Sequence, residues 1–347
     1  MTTSLNVALV GYGFVGKVFH APLIAAVDGL TLHSVVSSNP AAVHADFPDA
    51  RVRAQLSDAL TDPAVHLVVI ATPNALHARQ AHAALDAGKH VIVDKPFTVT
   101  VEEAEGVSAK AERSGRLLSV FHNRRWDSDF LTLRALIADG TLGDVTQFES
   151  HFDRFRPDVR DRWRERPGPG TGLWFDLGPH LLDQALQLFG APLGISADMA
   201  VQRDGGATDD YFHVTLRYSR LRVLLHASTM VAANDLRFAV HGTRGSFVKQ
   251  GLDTQEDALK AGHVPGGDGW GHDTRPGTLT VVDGDVVRTR VVQGEPGDYR
   301  RYYQAIRDAV CGIASNPVPP SEALSVMQLL ALGRDSAHAH SEVQIAP

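Results

Sequence analysis

Three side chains have the types and spacing for proton and charge transfer: Lys95, Asp176 and His180. Asp176-Leu-Gly-Pro-His180 puts a carboxylate four residues before an imidazole, so on a helix the two share a face. A carboxylate near an imidazole raises its basicity and holds one tautomer. His180 is thereby equipped to take a proton from a hydroxyl. Pro179 lies between them, at a place expected to be a first helical turn, where proline is tolerated. Asp94-Lys95-Pro96 directly follows an apolar strand pattern at His90–Val93. An ammonium there can stabilise a developing alkoxide and lower the pKa of a substrate hydroxyl. A cis X-Pro bond would fix its direction. Taken alone, Lys95 could equally be a surface lysine before a turn. Asp176 and His180 make only two metal ligands, with no third suggested by spacing. The single cysteine, Cys311, excludes an internal disulfide and any multi-cysteine centre. No metal site is expected.

These groups need a partner that accepts or supplies electrons, and the chain opens with one candidate for binding it. The apolar run Leu5–Val10 ends in Gly11-Tyr-Gly13-Phe14-Val15-Gly16, and an apolar helical pattern over 14–27 follows. That is the order of a dinucleotide site. Gly11 permits the tight turn, Gly13 lets a pyrophosphate approach the backbone, and Gly16 lets helix and sheet pack closely. The helix N-terminus supplies N–H groups and a positive dipole end. An acidic residue ending the second strand would bind the ribose of NAD. Ser37, Ser38 and Asn39 stand there instead, leaving room and hydrogen-bond donors for a 2′-phosphate. NADP is therefore expected over strict NAD, although no Arg or Lys lies between Ser37 and Ala50.

The elements that must position these groups read as two halves. Through residue 121, strand and helix patterns alternate with short connections, as in a doubly wound parallel sheet. The run 65–71 is apolar throughout, as a strand buried on both faces requires. Helices are expected at 74–87, stopped by Gly88, and at Val101–Ser114. After 122 the pattern changes to long alternating segments at 145–155, 195–202, 212–218, 221–229 and 236–241, which predict a mostly antiparallel open sheet. A Gly/Pro loop at 167–172 precedes a helix at about 175–188, 251–277 reads as a surface excursion, and helices at about 299–312 and 321–341 follow. The expected fold is thus α/β: a Rossmann domain at 1–122, and an α+β substrate-binding and oligomerisation domain with a large open sheet at 123–347. His122-Asn123-Arg124-Arg125-Trp126 joins them, and Asn123 or Arg124 could bind a polyol hydroxyl or simply be a solvated linker. His151 and Asp153 are expected on a strand facing the substrate. One arginine from the arginine-rich stretch 154–166 could face the cofactor phosphates. A net charge of −7 argues against binding along nucleic-acid phosphates. No basic-then-apolar leader and no membrane-length apolar run is present, so a cytoplasmic protein without membrane partners is expected.

Together these residues resemble the Gfo/Idh/MocA family of glucose–fructose oxidoreductase, inositol dehydrogenase and rhizopine catabolism proteins. The resemblance spans essentially the whole chain. It rests on Gly11-Tyr-Gly-Phe-Val-Gly16, Ala71-Thr-Pro-Asn74 with His77, Gly88-Lys-His-Val-Ile-Val-Asp-Lys-Pro96 and Asp176-Leu-Gly-Pro-His180. Within the family the chain looks most like NADP-dependent scyllo-inositol dehydrogenases, through Val18-Phe-His-Ala-Pro-Leu23, Leu118-Ser-Val-Phe-His-Asn-Arg-Arg-Trp-Asp127, Arg162-Trp-Arg-Glu165 and Gln255-Glu-Asp-Ala-Leu259. The resemblance implies a nicotinamide-binding Rossmann domain and an open-sheet domain through which dimers or tetramers form. It implies that Lys95, Asp176 and His180 are catalytic, that Thr72, Pro73, Asn74 and His77 flank the cofactor, and that Trp163 and Arg164 close over it. Asp94, Lys95, Pro96 and Asn123 would also touch the cofactor. Asp94 replaces the family's usual Glu, one methylene longer, and Asn39 stands where an arginine would best grip a 2′-phosphate. The implied activity is reversible hydride transfer between NADP(H) and a secondary alcohol of a cyclic polyol or sugar. The alternatives are an NAD-dependent glycosidase using transient oxidation, or a non-catalytic nucleotide sensor.

Overall fold

A computed structural model of the chain describes residues 4–345. The strands, in chain order, are β1 (Leu5–Val10), β2 (Leu30–Val36), β3 (Arg51–Arg53), β4 (Leu67–Ile70), β5 (His90–Val93), β6 (Leu118–Val120), β7 (Val145–His151) and β8 (Gly194–Ala200). They continue with β9 (Tyr211–Arg217), β10 (Arg222–Ser228), β11 (Leu236–Gly242), β12 (Gly245–Gln250), β13 (Gly277–Asp283), β14 (Val286–Val292) and β15 (Val343–Gln344). The helices are α1 (Ala21–Ala25), α2 (Pro40–Asp46), α3 (Leu56–Leu60), α4 (His77–Asp86), α5 (Val101–Ser114), α6 (Ser128–Ala138), α7 (Leu173–Phe189), α8 (Gln255–Lys260), α9 (Arg300–Val310) and α10 (Pro320–Ala339).

The first six strands form a parallel sheet in the order β3-β2-β1-β4-β5-β6. This is the doubly wound dinucleotide-binding order, with the reversal point between β1 and β4. Every residue of β4 is fully buried, as a strand with helices over both faces demands. Local chemistry sets the helix ends. Thr100 and Glu103 form a reciprocal capping box at the start of α5, and Gly115, with φ of 61°, closes it.

The second sheet has nine strands in the order β14-β13-β12-β11-β7-β10-β9-β8-β15. All its pairs are antiparallel except β7 with β10. Burial alternates along β9, so one face is covered and the other is not. The covered face lies under α7. Trp174 meets Phe212 edge-on at 4.9 Å between ring centroids, and Phe189 meets Phe148 at 5.3 Å.

The chain divides into two compact units. The first gathers the chain through Asn123 together with Gln255–Trp270 and Asp298–Met327; the second holds Arg124–Thr254, Gly271–Gly297 and the chain from Gln328 onward. The linear division at 122/123 therefore needs correcting, because two later segments return to the first unit. For the Asp298–Met327 segment one physical reason is visible at Ser119 of β6, which accepts from the Tyr302 hydroxyl and donates to the Val318 carbonyl at 3.0 Å each.

Three further expectations change. Helix α7 starts at Leu173, so Pro179 is its seventh residue and lies inside the helix, beyond the first turn. The Gly/Asp/His-rich stretch after Gly251 is no mere surface excursion. It contains α8, buries Gln255 and Leu259, and places Asp273 2.8 Å from the buried Lys249 ammonium. The β13–β14 hairpin, turning at Asp283-Gly284 with Gly284 at φ of 58°, was not anticipated, although Asp-Gly between apolar runs is a hairpin signal. Among the described residues no helix is long and apolar enough to cross a membrane.

Candidate active site

The cofactor end of the first unit is built by strand register. Val10 pairs with Val36 and with Ile70, and Ile70 pairs with Val93, so β2, β1, β4 and β5 end level. The next residues, Ser37, Gly11, Ala71 and Asp94, therefore stand side by side. At about 4.8 Å per strand they span roughly 14 Å. Backbone bonds from Gly11 N to Val36 O (3.0 Å), Ala71 N to Val10 O (2.8 Å) and Asp94 N to Ile70 O (2.9 Å) lock that edge.

The three glycines of the motif differ in what they do. Gly11 has φ of 99°, and a Cβ there would lie 2.6 Å from the Ala71 carbonyl oxygen. A Cβ on Gly16 would lie 2.1 Å from the Gly11 carbonyl oxygen, so the helix starts against the turn. A Cβ on Gly13 would meet nothing within 4 Å. Gly13 instead borders a cavity of about 690 Å³ lined by Gly11, Ser37, Ser38, Asn39, Thr72 and Arg79 among others. An open cradle at the third position of the motif, next to a helix start, fits a dinucleotide pyrophosphate. Gly11→Ala is expected to lower the melting temperature, because strained backbone of this kind costs about 1–3 kcal/mol before any clash. Gly13→Ala should melt normally and bind the dinucleotide more weakly. Thermal melts with and without cofactor check both. Equal melting of the two variants would contradict the assignment.

The end of β2 carries no acid, as read from the sequence. Asn39 accepts from Ala42 N at 3.1 Å and so caps α2, while Ser37 Oγ accepts from Asn39 N at 3.1 Å. The Asn39 side-chain NH2 keeps its two donors to offer. Sequence reasoning missed Arg79, which comes from the first turn of α4 and lines the same cavity. Its position two residues after His77 was the available signal.

His77 is fully buried and joins two loops: Nδ1 lies 2.9 Å from Pro96 O and Nε2 lies 2.9 Å from Thr72 O. Burial holds its pKa below the usual imidazole value, against the raising influence of Asp94 and the backbone carbonyls. Thr72 also donates to Gln80 at 2.7 Å. Asn74 is buried and starts a short 3-10 turn after Pro73. Behind the loop after β5, His20 Nδ1 is 2.5 Å from Tyr303 Oη and its Nε2 is 3.4 Å from Asp94. Burial pushes the Asp94 carboxyl up, but the His20 hydrogen bond and charge, then Lys95 and His77, outweigh it and keep its pKa low. Burial first, then Tyr302 and Asp94, raises the Tyr303 pKa far above that of a free phenol. Asp94 is thus an anchored carboxyl group whose pKa is held down by its cationic neighbours. Lys95 is about nine-tenths buried and its bond to Pro96 is cis.

In the second unit, Asp176 and His180 both fall within α7, one turn apart. The helix start is held by Asp209, whose carbonyl accepts from Leu173 N (2.8 Å) and whose carboxylate accepts from Trp174 N (2.6 Å). Burial raises the Asp209 pKa despite that bond. Further along, Arg125 forms a two-point contact with Asp183 at 2.9 and 2.6 Å, both buried. Arg124 meets Asp127 at 3.2 Å and covers the Phe152 ring at 4.6 Å. Its guanidinium is packed into the unit, so the solvated-linker reading is corrected. Arg164 Nε lies 3.6 Å from Asp176 and Arg154 Nη1 lies 4.0 Å away. Arg164 also stacks over Trp163 at 4.6 Å. Two residues of the arginine-rich stretch therefore approach the carboxylate, a pairing that sequence spacing did not indicate. Asn123 is buried and opens the short Asn123–Trp126 turn at the end of the first unit's N-terminal stretch.

His151 and Asp153 require correction. Phe148, on β7, packs under α7, and residues alternate along a strand. His151 pairs with His226 and His226 with His213, all three opposite to the α7-facing set. His151 and Asp153 thus occupy the sheet face away from the helix bearing Asp176 and His180. They are not brought together with that pair.

Two family models match the chain: an oxidoreductase family NAD-binding Rossmann fold over residues 5–122, and an oxidoreductase family C-terminal alpha/beta domain over 134–345. Among similar proteins, scyllo-inositol 2-dehydrogenase (NADP(+)) IolW of Bacillus subtilis is 41% identical over 96% of this chain and 94% of its own. The uncharacterized oxidoreductase YdgJ of Escherichia coli is 52% identical over 97% of both. The solved structure of yvaA from Bacillus subtilis superposes with a TM-score of 0.97 at 39% identity, covering 100% of this chain and 99% of that one. The parallel sheet, the glycine cradle and these matches agree: the chain belongs to the Gfo/Idh/MocA family of oxidoreductases.

Proposed function

We propose that this oxidoreductase transfers a hydride reversibly between NADP(H) and a secondary alcohol of a cyclic polyol or sugar, with an inositol as the leading substrate. The supporting observation is a cavity at the level ends of β1 and β2 that carries a glycine cradle, no acid at the β2 end, and a cation in Arg79. The printed activity of IolW supports the substrate class. When bound, the nicotinamide supplies the hydride acceptor or donor. Lys95 polarises the substrate oxygen and favours its alkoxide. His180 carries the proton, and Asp176 holds its tautomer. Thr72, Pro73, Asn74, His77, Asp94 and Pro96 shape the cofactor-side loops, with Asn123, Trp163 and Arg164 as further contacts. The proposal includes action in the cytoplasm and self-association through the open face of the nine-stranded sheet.

The test is a panel of cyclic polyols and sugars assayed with NADP and NAD by nicotinamide absorbance. Turnover on a polyol with NADP is expected. Cofactor that co-purifies without net NADPH formation would indicate transient oxidation instead, and no turnover on any panel member would overturn the reading. Arg79→Gln should lower the NADP-over-NAD ratio of kcat/KM by about 10–100-fold, the range for hydrogen bonds to charged groups. An unchanged ratio would remove Arg79 from 2′-phosphate recognition.

A further inference from the structure

We propose that His151, Asp153 and His226 form a zinc(II) site on the open face of the nine-stranded sheet. Among the described residues, these three bring His and carboxylate ligand atoms within 4.8 Å of one another. The fold builds the cluster from distant sequence. β7 and β10 run parallel in a register that sets His151 beside His226. Asp153 follows two residues after His151 and returns to the same face.

His151 Nδ1 lies 3.3 Å from one Asp153 oxygen, and His226 Nε2 lies 3.3 Å from the other. Ligands at about 2.0–2.1 Å from a tetrahedral zinc stand roughly 3.3 Å apart, so binding closes a cluster whose ligand atoms now lie within 4.8 Å of one another. Asp153 is fixed by accepting the Ser228 N–H at 2.9 Å. Beyond the three ligands, Glu149 lies 3.4 Å from His151 Nε2, and Gln147 donates to the other Glu149 oxygen at 2.5 Å. A carboxylate on the far nitrogen of an imidazole is the arrangement that orients a metal-bound histidine. Two imidazoles with one carboxylate suit zinc better than magnesium or calcium, which prefer oxygen alone. Two carboxylates, those of Asp153 and Glu149, face the His151 ring. The His151 and His226 side chains remain 18% and 16% exposed, enough for an ion to enter. The site faces away from α7, on the sheet face proposed for self-association, keeps one coordination position open, and takes no part in hydride transfer.

The experiment uses the full chain, stripped with a chelator, dialysed, and titrated with zinc alone against a chromophoric zinc indicator. One sub-micromolar equivalent per chain is expected. His151→Gln and His226→Gln should each abolish it, while Glu149→Gln keeps it and weakens it by about 10–100-fold. His263→Gln, at an exposed histidine, should change nothing. Zinc should raise the melting temperature of the parent and of His263→Gln, but of neither ligand variant. Circular dichroism establishes that the variants fold. If a ligand variant fails to fold, Glu149→Gln still decides, because unaltered affinity contradicts its role. The proposal is overturned if the parent binds no sub-micromolar equivalent, or if the ligand variants retain it.

Discussion

Alanine at His180 should lower kcat by at least about 100-fold on the best polyol substrate, because a positioned general acid–base group contributes ~10²–10⁴-fold. His180 sits in the second turn of α7, one turn after Asp176 and 7% exposed, so its environment is fixed by the helix. Lys95→Ala should lose a similar factor by removing the cation that favours the alkoxide. On the proposed roles, Asp176→Asn should cost less than His180→Ala and shift the acidic limb of the pH profile. The readouts are steady-state kcat and KM, with cofactor binding measured separately. Retention of near-normal turnover by His180→Ala or Lys95→Ala would refute the assigned roles. The glycine cradle and the family membership would stand either way.

The second large effect concerns what holds α7. Arg237 on β11 is 1% exposed, and its guanidinium donates to Asp129 on α6 (3.0 Å), Ser150 on β7 (2.9 Å) and Gln184 on α7 (2.7 Å). The same group covers the Phe238 ring at 4.0 Å, and Gln184 donates onward to the Arg124 carbonyl at 2.9 Å. One buried cation thus ties two helices to two strands. Removing only its carboxylate leaves an uncompensated buried charge, which costs about 3–5 kcal/mol. Asp129→Ala should therefore lower the urea midpoint by that amount of stability. Replacing both partners, as in Asp129→Leu with Arg237→Met, should restore much of it, since well-packed apolar residues often match a buried ion pair. A single variant as stable as the parent would show that the pair carries no such strain. Because Gln184 belongs to α7, the single variant should also lose activity at temperatures where it remains folded.

The parallel sheet was legible because its strands carry near-continuous apolar runs, as at Leu67–Ile70, separated by helix caps such as Thr100 and glycine stops such as Gly88. Those are local signals, and the GxGxxG turn is another. The antiparallel sheet was legible in part. Strands β9 to β11 alternate clearly, whereas β14 is exposed at nearly every position and has no buried face to betray it. Pro179 misled by one turn because the Asp209 cap that starts α7 comes from more than thirty residues downstream. His151 was assigned to the wrong face because a single strand's alternation does not say which side a helix will cover.

The amino-acid sequence by itself determined the motif order, the strand–helix alternation and the presence of Lys95, Asp176 and His180, because turn conformation, capping and hydrophobic period act between near neighbours. Only the tertiary structure decided that Arg79 lines the pocket with Ser37, that the segments after Gln255 and Asp298 rejoin the first unit, and that His151 meets His226. Each of these depends on strand register or helix docking across dozens of residues. Such choices are settled by which faces can be buried together, a property of the packed chain that no local window contains.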